Sequence, residues 1–157
     1  YLKTTMTLVQ KLQSLNIALP KLAGPFGAYV PAKRSGNLIF VAGQLPMKDG
    51  KLLAVGAAPS VCSMDDARLG ARQCVINALA AVASLGEDVL NSLSGVLRVG
   101  AFVQSDDDFK QQPQVANAAS ELLQELFGPA GQHVRVAVGV NTLPMDAAVE
   151  IEFVFEI

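Results

Sequence analysis

The chain has 157 residues, a hydrophobic fraction of 51%, a charged fraction of 17% and a formal net charge of −2. That length closes around a single core, and the apolar content excludes a disordered chain. Basic residues are scattered, with Lys33 and Arg34 the only adjacent pair, so the basic stripe that phosphate contacts require is missing and nucleic acid is not an expected partner.

From the N-terminus, Leu8, Leu12 and Leu15 place one apolar face on a short helix over 4–15, within an N-terminal helical extension of residues 1–18. Residues 1–11 carry no basic region followed by an apolar run, so no signal peptide is expected. No stretch is long and apolar enough to span a bilayer, and a cytoplasmic location is expected. Residues 16–31 are rich in Pro and Gly and read as a connector. The run NLIFVAG (37–43) reads as a strand covered on both faces. Gly50 and Pro59–Ser60 mark turns, with a weak strand between them.

Ser63 opens the strongest helix signal. A Ser63-x-x-Asp66 cap is followed by Ala67, Ala71, Cys74, Ala78 and Val82 at helical spacing, with Gly86 as a stop. The small residues of that stripe favour close packing on a sheet. Gly95–Gln104 reads as a strand. Pro113 starts a second long helix whose apolar face is Val115, Ala119, Leu122, Leu123 and Leu126, ended by Gly128–Pro129. Two period-two strands close the chain: Val134, Val136, Val138 and Val140, then Val149, Ile151, Phe153 and Phe155. The whole chain, 1–157, is one α+β domain, a sheet with helices packed on one face. The other face needs water-tolerant side chains or a second subunit, and the surplus of apolar residues suits a buried subunit interface.

If the last two strands form a hairpin around residues 141–146, Val140 pairs with Ala147 and Arg135 with Glu152. Both charged side chains then project from the face away from the valines and phenylalanines. On an exposed surface they are a cross-strand ion pair. In a cleft, Arg135 clamps a substrate carboxylate in a planar two-bond contact while Glu152 serves as a general base.

Other candidates carry less. His133, the only histidine, reads as a surface or capping residue, with no serine arranged for a hydrolase triad. Asp106, Asp107 and Asp108 read as a solvated turn before a helix, because adjacent aspartates lack the alternation of a calcium loop. The glycines at 24, 27, 36 and 43 make no phosphate-cradling loop. Tyr29 is either a packed strand residue or an aromatic wall for a small ligand. Cys62 and Cys74 have neither metal-site nor disulfide spacing and read as reduced thiols, and no metal site is expected.

Three segments, PFGAYVPAKRSGNLIFVAGQLP (25–46), VANAASELLQELFG (115–128) and RVAVGVNTLPMDAAVEIEFV (135–154), resemble the Rid/YjgF family, also labelled endoribonuclease L-PSP. They occur in the family's order, and the resemblance spans residues 19–157. It implies a chorismate-mutase-like fold and a homotrimer with ligand clefts between subunits. It also implies cofactor-free hydrolysis of reactive enamine or imine acids of the 2-aminoacrylate and 2-iminopropanoate type to 2-oxo acids and ammonia. By that resemblance Arg135 binds the substrate carboxylate, Glu152 orients the attacking water, and Tyr29 lines the cleft. Gly43 lets backbone approach the ligand, the Ala137 main chain meets the substrate nitrogen, and Asn117 supports the helix start. Val136, where a small hydroxyl residue is usual, and Ala28, where Pro is usual, depart from the pattern and alter the pocket's polarity. A non-catalytic sensor of small carboxylates and an endoribonuclease are the alternative activities, the latter opposed by the charge distribution.

Overall fold

The computed structural model describes residues 5–22 and 27–157. The expected helix start at Thr4, Gly24, and the first two residues of the 25–46 segment lie outside them. The first helix, α1 (Leu8–Ser14), starts at an N-cap Thr7 whose side chain accepts from the Gln10 backbone while Gln10 caps back, a reciprocal box. Leu8 and Leu12 are its buried face.

Strands β1 (Ala32–Ser35) and β2 (Leu38–Gln44) follow, then a two-stranded ribbon of β3 (Met47–Lys48) and β4 (Lys51–Leu52) around Asp49–Gly50. Helix α2 (Met64–Ala83) begins where expected, with the Ser63 hydroxyl accepting from the Asp66 backbone. Ala67, Ala71, Cys74, Ala78 and Val82 are all fully buried. The small stripe lets α2 lie close to the sheet: a Cβ added at Gly70 would fall 2.8 Å from Ala54 Cβ and 3.2 Å from Val149. The short α3 (Glu87–Ser92) has no counterpart in the periodicity. Next come β5 (Gly95–Gln104), α4 (Gln112–Phe127), β6 (Val134–Val140) and β7 (Val149–Glu156).

The main sheet has the order β1-β2-β7-β5-β6, antiparallel except for the parallel pair β5–β6. A parallel neighbour requires a crossover, and α4 supplies it. Helices α2 and α4 cover one face of the sheet, where Ile39, Val99, Val103, Ile151, Phe153 and Phe155 are buried. Full burial of a side chain of that size contributes about 1.5–3 kcal/mol. The opposite face is open, with Phe40 46%, Val136 44% and Val138 43% exposed.

Two expectations are corrected here. The 37–43 run is covered on one face only, since Ile39 and Val41 are buried while Phe40 is exposed. The final strands do not form a hairpin. β7 inserts between β2 and β5, and β6 pairs with β5 at the sheet edge. The segment that joins them contains a 3-10 turn, Pro144–Asp146, in which Met145 and Asp146 adopt left-handed φ of 58° and 60°.

Candidate functional site

Register decides where each candidate side chain points. Arg135 lies opposite Val99 of β5, and Val99 lies opposite Phe153 of β7. Val99 and Phe153 are core residues, so Arg135 points to the helix side of the sheet. Glu152 lies opposite Gly100, which in turn faces Val136, so Glu152 shares the open face with the exposed valines. The expected pairing of Arg135 with Glu152 is therefore replaced by two clusters on opposite faces. Along β6 the inside–outside assignment is reversed: the valines look outward, while Arg135, Ala137 and Gly139 look toward α4.

The first cluster surrounds Arg135. Its Nη1 donates to Asn117 Oδ1 at 2.8 Å and to Ser120 Oγ at 3.1 Å, and its Nη2 donates to the Pro113 carbonyl at 3.4 Å. All three acceptors belong to α4, so the helix that brings β6 alongside β5 also holds the guanidinium. Among the described residues no carboxylate lies within ion-pair distance of it. Nη1 is spent, whereas Nε–H and the second Nη2–H, the parallel edge that binds a carboxylate side-on, have no acceptor among those residues. Asn117 thus holds the arginine, a more specific task than supporting the helix start. Ala137, two residues along the same edge strand and half-buried, packs against the core.

The second cluster lies on the open face. Glu152 is ion-paired with Arg98 at 2.6 Å, and the pair lies over Gly100, where an added Cβ would come within 2.8 Å of the Glu152 carboxylate. Tyr29, 60% exposed, lines an open cavity of about 470 Å³ with Lys33, Phe40, Arg98 and Glu152. The structure therefore brings Tyr29 and Glu152 together, without Arg135.

Glu150, two residues before Glu152 on the same face, was not singled out by the sequence because both glutamates share one alternation. Gly43 makes room for it: an added Cβ at Gly43 would fall 2.2 Å from Glu150 Oε1. Burial, and then the negative charge of Glu152, raise the Glu150 carboxyl above the ordinary 4.5. A half-buried carboxylate of raised basicity suits proton abstraction better than one committed to an arginine.

Sequence reasoning also missed a serine beside His133. Ser120 Oγ is 2.8 Å from His133 Nε2, and His133 Nδ1 is 2.6 Å from the Gly131 carbonyl. Ser120 lies on the buried face of α4, so the contact is not visible from sequence separation. Asp106, expected to be solvated, accepts from the backbone and hydroxyl of Ser60 at 2.8 and 2.7 Å. Among the described residues, no helix is long and apolar enough to cross a membrane.

The sequence matches the protein-family model described as Endoribonuclease L-PSP over residues 21–157. It is similar to Protein TCP17 of Trypanosoma cruzi, 36% identical over 148 residues that cover 93% of this chain and 91% of that protein. A 2-iminobutanoate/2-iminopropanoate deaminase of Dermatophagoides farinae is 30% identical over 136 residues, covering 87% of this chain and 91% of that one. Among solved structures, the protein Atu1372 of Agrobacterium tumefaciens, described as having unknown function, superposes with a TM-score of 0.86. It is 36% identical, with 96% of this chain and 92% of that chain covered.

Proposed function

The chain belongs to the Rid/YjgF family, and we propose that it hydrolyses small 2-imino acids and their enamine tautomers to 2-oxo acids and ammonia. The observation that carries this reading is the Arg135 guanidinium, held by α4 through Nη1 and open along its side-on edge. A planar fork fixed in this way binds a carboxylate in one orientation, which sets the adjacent C=N carbon in one place. The named deaminase activity of the relative from Dermatophagoides farinae supports the same reaction class.

The reaction needs a water placed against the imine carbon. A glutamate takes one proton from that water as its oxygen bonds to C2 and the C=N π pair moves to nitrogen. The glutamate returns that proton to nitrogen, giving the neutral carbinolamine, which then collapses: the glutamate takes the hydroxyl proton as the C=O bond forms, the C–N bond breaks, the departing nitrogen takes up that proton, and ammonia and the 2-oxo acid leave. Glu152 was the expected base, but its carboxylate is engaged by Arg98 at 2.6 Å. We assign the proton transfer to Glu150 and a supporting electrostatic role to Glu152.

Arg135 and Glu150 leave opposite faces of one protomer, so one small substrate reaches both only where the β6 edge of one copy meets the open face of another. On this reading the site lies between subunits of a homotrimer, with Tyr29 as its aromatic wall and the Ala137 backbone on the edge strand beside Arg135. The exposed Val136 and Val138 suit such an interface.

Ammonia release from 2-iminopropanoate, generated in situ by an amino-acid oxidase, tests the assignment. Wild type accelerates it without added metal. Arg135→Ala lowers kcat/KM by at least about a hundredfold, the scale of losing a positioned charged hydrogen bond pair. Glu150→Gln removes turnover with less effect on carboxylate binding. Equal rates for wild type and Arg135→Ala refute the reading.

A further inference from the structure

Every hydrogen bond between Arg135 and the start of β6 has a fixed direction. The Gly131 carbonyl can only accept, so His133 Nδ1, 2.6 Å away, carries its proton. In the neutral ring Nε2 is then an acceptor, and the Ser120 hydroxyl 2.8 Å away donates to it. The Ser120 oxygen is left with lone pairs only, one of which meets Arg135 Nη1 at 3.1 Å. Hydrogen bonds in such a chain, partly buried and with each donor committed, polarise one another. Ser120 is 8% exposed, so water does not compete freely for its oxygen.

The chain is anchored by backbone packing. Gly131 ends the 3-10 turn after α4, and an added Cβ there would fall 2.5 Å from the Leu123 carbonyl and 2.8 Å from Gln124 Cα. Only a glycine lets that turn lie against α4, which aims the Gly131 carbonyl at His133.

We propose that Ser120 and His133 are positioning residues that hold the Arg135 guanidinium in its carboxylate-binding orientation through a directed Arg135–Ser120–His133–Gly131 relay. This rests on the reading of Arg135 as the carboxylate clamp. The lone histidine thereby acts neither as general base nor as nucleophile activator. Its tautomer keeps Ser120 facing the arginine oxygen-first. With Asn117 taking the other Nη1 hydrogen, rotation about the last Arg135 bonds is blocked, and the Nε–Nη2 edge stays presented.

The test pairs kinetics with a signal from the guanidinium itself. In ¹⁵N–¹H spectra of the full chain, the Arg135 Nε–H resonance is expected to stand apart from those of mobile arginines. It collapses toward them in Ser120→Ala and in His133→Phe, and returns in Ser120→Thr and His133→Gln, whose hydroxyl and side-chain oxygen restore the relay. With 2-iminopropanoate, Ser120→Ala raises KM about five- to tenfold with little change in kcat, as expected for lost preorganisation of a binding group. The double variant Ser120→Ala/His133→Phe is no worse than Ser120→Ala, because the two act in series. Circular dichroism and thermal melting establish that each variant folds. An Arg135 resonance unmoved by both Ser120→Ala and His133→Phe overturns the relay. A resonance that moves in both variants while wild type shows no deaminase turnover retains the relay and removes the deaminase reading instead.

Discussion

Glu150 shows how one residue's surroundings set a measurable behaviour. Burial and the neighbouring Glu152 hold its carboxyl above the ordinary carboxylate range. The native state therefore binds a proton more tightly than the unfolded chain, so stability falls as pH rises from the ordinary carboxyl pKa through the raised native one. Glu150→Gln removes the ionisable group. It is expected to raise Tm at about pH 8 and to lose that advantage near pH 4, where the wild-type carboxyl is protonated in both states. Thermal melts across that window check this, and a constant Tm difference between the two pH values would contradict the assigned burial. Activity of wild type is expected to rise with pH through the same native titration, because the base works only when ionised. At the residue scale, Arg135 and Tyr29 were legible from the sequence as candidates through their motif positions. The choice between Glu150 and Glu152 was not, because period two puts both on one face and only the Arg98 contact separates them. His133 misled for the same reason: its serine lies 13 residues away, on another element.

At the scale of elements, local rules carried α2, α4 and β5. The Ser63 cap, the alanine stripe and the Pro113 start each act within a few residues, so the boundaries came from chain chemistry alone. Gly70 belongs to this scale because it sets the separation of α2 from the sheet. Gly70→Ala is expected to cost about 1–3 kcal/mol through overpacking against Ala54, Pro46 and Val149, despite the better helix propensity of alanine. That corresponds to a Tm drop of roughly 2–4 °C per kcal/mol for a chain of this length. A Gly70→Ala variant as stable as wild type would mean that α2 can move outward freely. Strand partners were the element-level failure. Successive strands invite a hairpin, yet β7 pairs with β2 and β5 and not with β6. The α4 crossover leaves β6 parallel at the edge.

Across the whole molecule, the division is between a covered face and an open one. The helices bury the inner face, while Phe40, Val136 and Val138 remain on the outer face. Scattered exposed apolar residues need no explanation, but several on one sheet face mark an interaction surface. If copies of the chain assemble through it, as proposed for the site, Val138→Glu places a charge in an apolar contact. It is expected to shift the mass measured by light scattering from trimer to monomer while secondary structure is retained. Activity falls with the assembly, because Arg135 and Glu150 then have no common substrate. A variant with the wild-type mass would show that the valine face is not the contact.

The sequence by itself determined the α+β class, the helix caps, the period-two strands and the motif positions, since each depends on residues within one or two turns of chain. Only the tertiary structure decided the strand order, and with it that Arg135 and Glu152 diverge instead of pairing. Strand order rests on long-range hydrogen bonding and on which face α2 and α4 cover, and alternation along one strand cannot say which side faces the core. Hence β6 turned its valines outward and its arginine to α4, where Asn117 and Ser120 were waiting.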